Sequence, residues 1–338
     1  MLNRFFESLY LKVYVNIVIS KTHSCVYIEI CNKKGVVDSV EDTFKTTTLT
    51  ESMYQFIESY IKETPYYYIS ILDTSLTQGV LPSCSKNLSN NIDMSEFKSI
   101  CYKNDWKYYT SKFDINSIQK VYSKIGIDYI FSPFILLNNF FKDKIDTHMA
   151  LFILIEENAL SLSVYNNTEL LYGIYLDMNH DSITEELMID EMGLDDNIDL
   201  DDIDLDDIDA LEDMDELDDF GDIEDLDSLD EIDEFADARD MEEELTEEAQ
   251  ENKSMPINDT DGFTDDYHRY SMIQSAVNQF YKDDSVNSQF IETVYVADGV
   301  GVSGDFKTYL EEEMFLSVYI RNIDLATQVC ELAKMETS

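Results

Sequence analysis

One acidic stretch, residues 181–262, limits what this chain can fold into more than any other feature. It contains 38 Asp and Glu residues but only two basic residues, Arg239 and Lys253. It therefore supplies 36 of the 48 net negative charges of the 338-residue chain. Because neighbouring carboxylates repel one another, they oppose a compact form at neutral pH. We expect a largely disordered insertion that divides an otherwise mildly acidic, folded protein in two.

Apolar residues return at every third position inside this stretch, from Leu205 to Phe235. A period of three falls short of the 3.6 residues of a helical turn, so an apolar stripe would drift around a helix. Two interpretations stay open: a solvated insertion, or a docking segment whose short units fold onto a basic, apolar groove of a partner. Calcium sites are not expected, because no EF-hand spacing of carboxylates is present. The negative charge also argues against nucleic acid as a partner.

The rest of the composition is that of a packed protein. The 180 residues before the stretch and the 76 after it are enough for a sizeable core, and 44% of the chain is apolar. No apolar run reaches the length of a transmembrane helix. The sequence contains no basic segment followed by an apolar region and a cleavage site, so we do not expect secretion. We therefore expect a cytoplasmic protein.

Cysteine and histidine give no sign of a metal site. The five cysteines are odd in number and lack the paired spacing of a zinc site, so we expect reduced thiols. The four histidines stand far apart in the sequence, without metal-ligand spacing. The cysteines are Cys25, Cys31, Cys84, Cys101 and Cys330.

Alternation and helical spacing predict an α/β protein that begins with a β-meander and repeats that device about 135 residues later. The predicted strands are residues 13–20, 25–31, 36–46, 66–72, 107–113, 128–131, 150–155, 159–165, 170–176, 290–297 and 317–320. The predicted helices are residues 2–10, 49–63, 116–125, 133–141, 267–280 and 305–314.

This order of elements resembles the actin-like ATPase fold. Within it, the sequence is similar to the PilM family, the cytoplasmic actin-like proteins of type IV pilus assembly. The resemblance rests on YVNIVISKTHSCVYIEIC for the first meander, HMALFILIEENALSLSVY for the second and YVADGVGVSGDFKTYL for a late strand, glycine turn and helix. It covers most of the chain outside the acidic stretch.

The resemblance implies an α/β fold of two ribonuclease H-like lobes. Residues 1–145 would form the first actin-like lobe, with an inserted peptide-binding subdomain. Residues 146–180 and 263–338 would form the second lobe. Residues 181–262 would be the acidic, largely disordered insertion within it.

The phosphate-binding turns depart from the family pattern. Actin-like ATPases hold magnesium-nucleotide between two D-x-G turns, but the corresponding segments here read ISKTHS at residues 19–24 and LIEEN at residues 154–158. Two glutamates at a phosphate loop would repel a triphosphate unless a metal offset them. We therefore expect a pseudo-ATPase, with no catalytic residue, no metal and no required cofactor; ATP binding is the alternative.

The adenosine turn is also degenerate. Asp298 stands where the family has the first glycine of a pair, while Gly299, Gly301 and Gly304 remain. These three are the candidate cofactor-binding residues that the resemblance implies. Glycine also serves a tight turn with positive φ in a fold that binds no nucleotide, so we expect a turn role first.

The resemblance implies a non-catalytic scaffold at a membrane-embedded pilus, secretion or flagellar-motor assembly. Its first lobe would hold the cytoplasmic tail of a PilN-like inner-membrane protein, in a groove within residues 66–144. The chain would then meet the membrane only indirectly, at the cytoplasmic side of the inner membrane. A basic partner protein for the acidic stretch is expected, and a homo-oligomer or ring is left open. The alternatives are a divergent ATP-binding ATPase and a regulatory adaptor that acts through the acidic stretch.

Overall fold

The computed structural model describes residues 10–85, 94–145, 148–178, 259–283 and 289–337, with side chains from residue 265 onward in the helix that begins at Asp259. Apart from Asp259, these residues belong to one compact unit. The helix predicted at residues 2–10 lies outside the described residues, except for Tyr10. The insertion predicted at residues 181–262 also lies outside them, except for its last four residues, which begin a helix.

The described residues form thirteen strands and six α-helices. The strands are β1 (Lys12–Ile19), β2 (Ser24–Asn32), β3 (Gly35–Phe44), β4 (Tyr66–Leu72), β5 (Gln78–Leu81), β6 (Phe97–Tyr102), β7 (Trp106–Ser111), β8 (Tyr129–Phe131), β9 (Ala150–Ile155), β10 (Ala159–Asn166), β11 (Glu169–Asp177), β12 (Thr293–Asp298) and β13 (Ser317–Asn322). The helices are α1 (Glu51–Ile61), α2 (Lys112–Val121), α3 (Pro133–Phe140), α4 (Asp259–Lys282), α5 (Gly304–Thr308) and α6 (Leu325–Glu336).

The first sheet has the strand order β3-β2-β1-β4-β8. β1, β2 and β3 form an antiparallel meander, while β4 and β8 add in parallel. Every residue from Val13 to Val18 is buried, which explains why β1 reads as a continuous apolar run rather than an alternating one. Helix α1 packs Met53 and Ile57 onto one face of this sheet.

The second sheet repeats the same plan, in the order β11-β10-β9-β12-β13. β9, β10 and β11 form an antiparallel meander, and β12 and β13 add in parallel. Two sheets, each built as a meander plus parallel strands in the same order, are the duplicated lobes of the actin-like fold. The predicted fold class is confirmed.

A third, three-stranded sheet of order β5-β7-β6 is inserted between β4 and β8. Only its middle strand, β7, is among the predicted strands. β5 has four residues, and the β6 sequence FKSICY is mostly exposed, so neither shows a clear apolar alternation. Helix α2 starts four residues earlier than predicted, because Ser111 caps it by accepting from the backbone N–H groups of Phe113 and Asp114.

A disulfide joins Cys84 to Cys101, so the expectation that all five thiols are reduced is wrong. The segment after β5 brings Cys84 to β6, where the two Cα atoms lie 5.5 Å apart, a usual separation for a disulfide. The two cysteines are 17 residues apart in sequence. The small sheet brings them together, and the sequence pattern predicted only its middle strand. Cys25, Cys31 and Cys330 are free.

Helix α6, for which the sequence analysis made no prediction, follows the second sheet and packs against the first. The Lys334 ammonium lies 2.8 Å from a carboxylate oxygen of Glu29 on β2. The hydroxyls of Tyr14 and Thr337 lie 2.8 Å apart. One core cluster contains residues of both sheets and of α6, among them Leu72, Phe152 and Val329. The two lobes therefore share a packed interface.

Candidate functional site

Two hairpin turns, one from each lobe, face each other across the cleft of the fold. In the β1–β2 turn the Ser20 N–H donates to the His23 carbonyl at 2.8 Å, and in the β9–β10 turn the Glu156 N–H donates to the Ala159 carbonyl at 2.9 Å. The backbone N–H of Lys21 donates to Glu157 Oε2 at 2.9 Å across the two turns. The ring of His23 also approaches Glu157, with Nδ1 3.9 Å from the same oxygen.

The two turns that this contact joins differ in electrostatic character. The first turn offers a backbone donor, and the second offers a carboxylate that accepts from it. One backbone N–H of the first turn thus binds a carboxylate of the same chain.

A second carboxylate of the β9–β10 turn, Glu156, is buried. Its Oε2 atom has no hydrogen-bond partner in the part of the chain that the structure describes. Burial, and then the nearby charge of Asp73, raise the pKa of Glu156 to about 8. Asp73 follows β4 of the first lobe, and burial raises its pKa as well, although it accepts a hydrogen bond from the Ser75 N–H at 3.0 Å. Two buried carboxyl groups from different lobes therefore lie close to each other, and burial favours a proton on Glu156.

The third candidate element is the turn after β12. The Asp298 carboxylate accepts from three successive backbone N–H groups, those of Val300 at 3.0 Å, Gly301 at 2.8 Å and Val302 at 3.0 Å. Successive N–H groups that converge in a turn form a site for an anion. Asp298 fills that site from within the chain.

The three glycines of this turn have different structural roles. Gly301 has φ +82°, a conformation that disfavours other residues. A Cβ on Gly299 would lie 2.7 Å from the Ile155 carbonyl oxygen, so this glycine allows β9 and the turn to approach. Gly304 starts α5, and a Cβ there would meet no heavy atom within 4 Å. Turn geometry thus accounts for Gly299 and Gly301 but not for Gly304.

These residues do not fit a magnesium-bound triphosphate. The backbone N–H groups that would hold phosphate already donate to Glu157 and Asp298. Among the described residues, no group of three or more His, Cys, Asp or Glu side chains is arranged to hold a metal ion.

A second candidate site lies between the small sheet and the first lobe. We call it the tyrosine cluster: Tyr68, Tyr102, Tyr108 and Tyr129, all of them partly exposed. The rings of Tyr68 and Tyr129 lie 6.5 Å apart, while Tyr102 and Tyr108 both pack on Trp106, at 5.1 and 6.4 Å. All four fall within residues 66–144, where the partner groove is predicted.

The end of α6 joins this cluster through Glu336. Burial and then the Glu336 charge raise the pKa of Tyr108. Burial, Asp128 and then Glu336 raise the pKa of Tyr129. The cluster therefore combines half-buried aromatic rings with a carboxylate, which suits an apolar segment with one cation. Sequence reasoning missed Glu336, because it lies about 200 residues beyond the predicted groove and no local pattern marks it.

No helix in the described part of the chain is both long enough and apolar enough to cross a membrane.

Two family models match the chain, and both describe domains of unknown function. The model of the family described as Domain of unknown function (DUF8341) matches residues 151–338. The model described as Domain of unknown function (DUF8569) matches residues 10–138. No curated protein matches the chain.

Solved structures with an actin-like fold are similar to this chain at low sequence identity. A Bacteroides thetaiotaomicron protein with actin-like ATPase fold and unknown function is 10% identical, covers 96% of each chain and has a TM-score of 0.47. The PilM-PilN type IV pilus biogenesis complex is 10% identical, covers 94% of each chain and has a TM-score of 0.46. MreB 5 of Spiroplasma citri bound to AMPPNP is 9% identical, covers 96% of this chain and 95% of its own, and has a TM-score of 0.40.

Proposed function

The chain belongs to the family described as Domain of unknown function (DUF8341), and we propose that it is a non-catalytic scaffold that binds the tail of a membrane protein. The single observation that carries this proposal is that the chain's own carboxylates occupy the turn amides of the nucleotide cleft.

A bound nucleotide would compete with these carboxylates for the backbone N–H groups of the turns. Hydrogen bonds to a charged group contribute roughly 1.5–3 kcal/mol each. A nucleotide phosphate would have to displace Asp298 from three N–H groups and Glu157 from one. These costs favour a pseudo-ATPase over a divergent ATPase.

The tyrosine cluster supports the binding part of the proposal. Its rings lie at the junction of the inserted sheet, the first lobe and the end of α6, and they keep part of their surface exposed. Aromatic rings supply large contact areas at low entropic cost and dominate binding energy in many interfaces. Glu336 adds a place for one Lys or Arg of the bound segment.

The identity of the partner follows from the sequence resemblance to the PilM family. We propose a PilN-like inner-membrane protein of a pilus, secretion or flagellar-motor assembly, whose cytoplasmic tail lies in the tyrosine cluster. The chain would then sit in the cytoplasm, peripheral to the inner membrane. The acidic stretch, with 36 net negative charges, would serve as a second docking element for a basic partner in the same assembly.

Calorimetric titration tests both parts of the proposal. The full chain would be titrated with Mg-ATP and, separately, with a synthetic peptide of the cytoplasmic tail of a PilN-like inner-membrane protein. We expect peptide binding and no heat from ATP up to millimolar concentration. Micromolar ATP binding would overturn the pseudo-ATPase proposal, and a tail peptide that does not bind would overturn the scaffold proposal.

Two variants assign the peptide to the tyrosine cluster. Tyr108→Ala and Glu336→Gln should each weaken the peptide at least about fivefold, since aromatic and charged contacts at interfaces often exceed 1 kcal/mol. Tyr267→Ala is the matched control, because this exposed tyrosine lies on α4 of the second lobe. If all three variants lost peptide affinity equally, the peptide would not bind at the tyrosine cluster.

A further inference from the structure

The last strand of the second sheet, β13, is hydrogen-bonded to β12 on one side only among the described strands. β13 ends the order β11-β10-β9-β12-β13, and no other described strand pairs with its outer side. The Ser317 N–H donates to the Glu292 carbonyl at 2.8 Å, and the Ile323 N–H donates to the Asp298 carbonyl at 2.9 Å. Because backbone groups alternate in direction along a strand, the N–H groups of Val318, Ile320 and Asn322 point away from β12.

Proteins usually blunt such an edge with lysine, proline, a bulge or a covering segment. β13 reads SVYIRN and contains neither lysine nor proline. Its one cation, Arg321, is held by Asp143, with the two side-chain hydrogen bonds at 3.2 and 3.1 Å. Among the described residues, nothing pairs with or blunts this side of β13, so it can accept a further strand.

An aromatic stack runs from the core to this edge and stops there. Phe152 stacks on Tyr295 with ring centroids 5.2 Å apart, and Tyr295 stacks on Tyr319 at 5.4 Å. Phe152 is fully buried, whereas Tyr319 on β13 is 55% exposed. The last ring of the stack thus presents an open face beside the open strand edge.

The residues before β13 display a second aromatic ring. Phe315 has φ +56°, which is rare for an aromatic residue, and its side chain is 79% exposed. A π-helical turn at Tyr309–Glu313 leads into it. Rare backbone conformations of this kind often accompany functional sites, because they cost energy that packing alone does not require.

Charge indicates which partner fits. Glu311, Glu312 and Glu313 are all exposed directly before Phe315, and Glu292 is exposed beside the start of β13. Of the three successive glutamates, Glu311 forms an ion pair with Lys307 at 3.4 Å. This end of the strand therefore favours a cationic segment.

We propose that β13 binds an extended, basic and apolar segment of a partner protein, which adds to the second sheet as a sixth strand. In this arrangement the segment's backbone pairs with Val318, Ile320 and Asn322. One of its apolar or aromatic side chains covers Tyr319, and its lysine or arginine residues meet Glu311–Glu313. Strand addition of this kind obtains affinity from the backbone and specificity from the side chains. The site lies on the second lobe, apart from the tyrosine cluster on the first.

The test uses two labelled peptides and the full chain. Both peptides alternate valine and threonine around one central tyrosine, and they end in either two lysines or two glutamates. Affinity is measured by fluorescence anisotropy, and the position of binding by amide hydrogen exchange. Because the acidic stretch also attracts lysine, the informative quantity is the difference between wild type and edge variants, in which that background is the same.

We expect the lysine peptide to bind more tightly than the glutamate peptide and to slow exchange at Val318, Ile320 and Asn322. Tyr319→Ser should weaken it about fivefold, through loss of the aromatic contact. Asn322→Pro should also weaken it, because proline removes one outward N–H while the ladder to β12 stays intact. Tyr267→Ser, another exposed tyrosine of the same lobe, is the matched control and should bind as wild type does.

Three outcomes would overturn the proposal. The first is no binding of the lysine peptide, and the second is equal binding by wild type and Tyr319→Ser. The third is exchange protection that appears elsewhere but not on β13. A thermal melt of each variant shows whether a loss of binding reflects a loss of folding; if Asn322→Pro is unstable, Tyr319→Ser and the exchange data decide.

Discussion

Glu157 of the second lobe accepts a hydrogen bond from the backbone N–H of Lys21 in the first lobe, at 2.9 Å. The contact joins the β1–β2 turn to the β9–β10 turn and thereby links the two lobes. Asp298 likewise accepts from backbone amides, but from those of its own turn after β12.

Removing this contact should loosen the lobes slightly. Glu157→Ala is expected to lower the free energy of unfolding by about 0.5–1 kcal/mol, since the carboxylate is partly exposed and solvent screens it. Urea unfolding measures the change. Glu169→Ala, on the exposed start of β11, is the control and should change stability by less. If the two variants were equally stable, the contact would contribute nothing to the fold.

Much of the fold could be predicted because its strands are long and buried. β1, β4, β9 and β10 stand out as apolar runs with short turns between them, and their order gives the duplicated lobes. β6 was missed because an exposed edge strand has no apolar pattern. The disulfide between Cys84 and Cys101 was missed for the same reason, because Cys101 lies on β6.

The candidate site was predictable only in part. The absence of D-x-G and the presence of Asp298 in the glycine turn are visible in the sequence, and both led to the prediction of a pseudo-ATPase, which stays a prediction. What fills the turns is not visible there, since Lys21 and Glu157 lie 136 residues apart. Glu336 beside the tyrosine cluster is a similar case, because only the packing of α6 onto the first lobe brings it there.

The three glycines after β12 should respond differently to alanine. Gly299→Ala brings a methyl group within 2.7 Å of the Ile155 carbonyl oxygen, and Gly301→Ala places alanine at φ +82°. Each should lower the free energy of unfolding by about 1–3 kcal/mol. Gly304→Ala is the control, because the space around it is open and alanine favours a helix. Thermal unfolding compares them, and a Gly304→Ala variant as unstable as the others would contradict the turn roles.

Glu156 should make stability depend on pH. Its folded-state pKa of about 8 lies above the ordinary 4.5, so the folded protein holds a proton that the unfolded chain releases. The stability this proton contributes is complete below pH 4.5 and is lost as pH rises toward 8. The Gln side chain of Glu156→Gln stays neutral at every pH. The free energy of unfolding of this variant, relative to wild type, should therefore rise by about 1.4 kcal/mol for each pH unit in that range.

Urea unfolding of wild type and Glu156→Gln at pH 5, 6.5 and 8 measures this difference. The acidic stretch titrates equally in both proteins, so its contribution cancels. Glu169→Gln serves as the exposed control and should track wild type throughout. A constant difference between Glu156→Gln and wild type across the range would mean that Glu156 is ionised in the folded protein.

The Cys84–Cys101 disulfide gives a redox prediction. Its chain separation of 17 residues implies that reduction, or the double variant Cys84→Ser/Cys101→Ser, costs about 3 kcal/mol. Denaturing alkylation and mass spectrometry should find three free thiols before reduction and five after it. Cys25→Ser is the control for loss of a thiol alone. Trapping thiols in intact cells adds a second result: a fully oxidised pair there would contradict the proposed cytoplasmic location.

Lys334 should hold the C-terminal helix on the first lobe. Its ammonium bonds to the buried Glu29 at 2.8 Å and to the more exposed Glu331. Burial would raise the pKa of Glu29, but the hydrogen bonds from Lys334, Cys31 and Tyr27 and the Lys334 charge outweigh it and lower that pKa. Lys334→Met removes the cation and leaves Glu29 buried without it, at an expected cost of about 2–4 kcal/mol at neutral pH. Because the folded-state pKa of Glu29 is depressed, the wild-type advantage should disappear as pH falls below the ordinary value of 4.5. Urea unfolding at pH 7 and pH 3.5 measures both effects, with Glu331→Gln as the control that keeps the Lys334–Glu29 pair. A Lys334→Met variant that matches Glu331→Gln at pH 7 would show that the Lys334–Glu29 pair does not hold α6 on the first lobe.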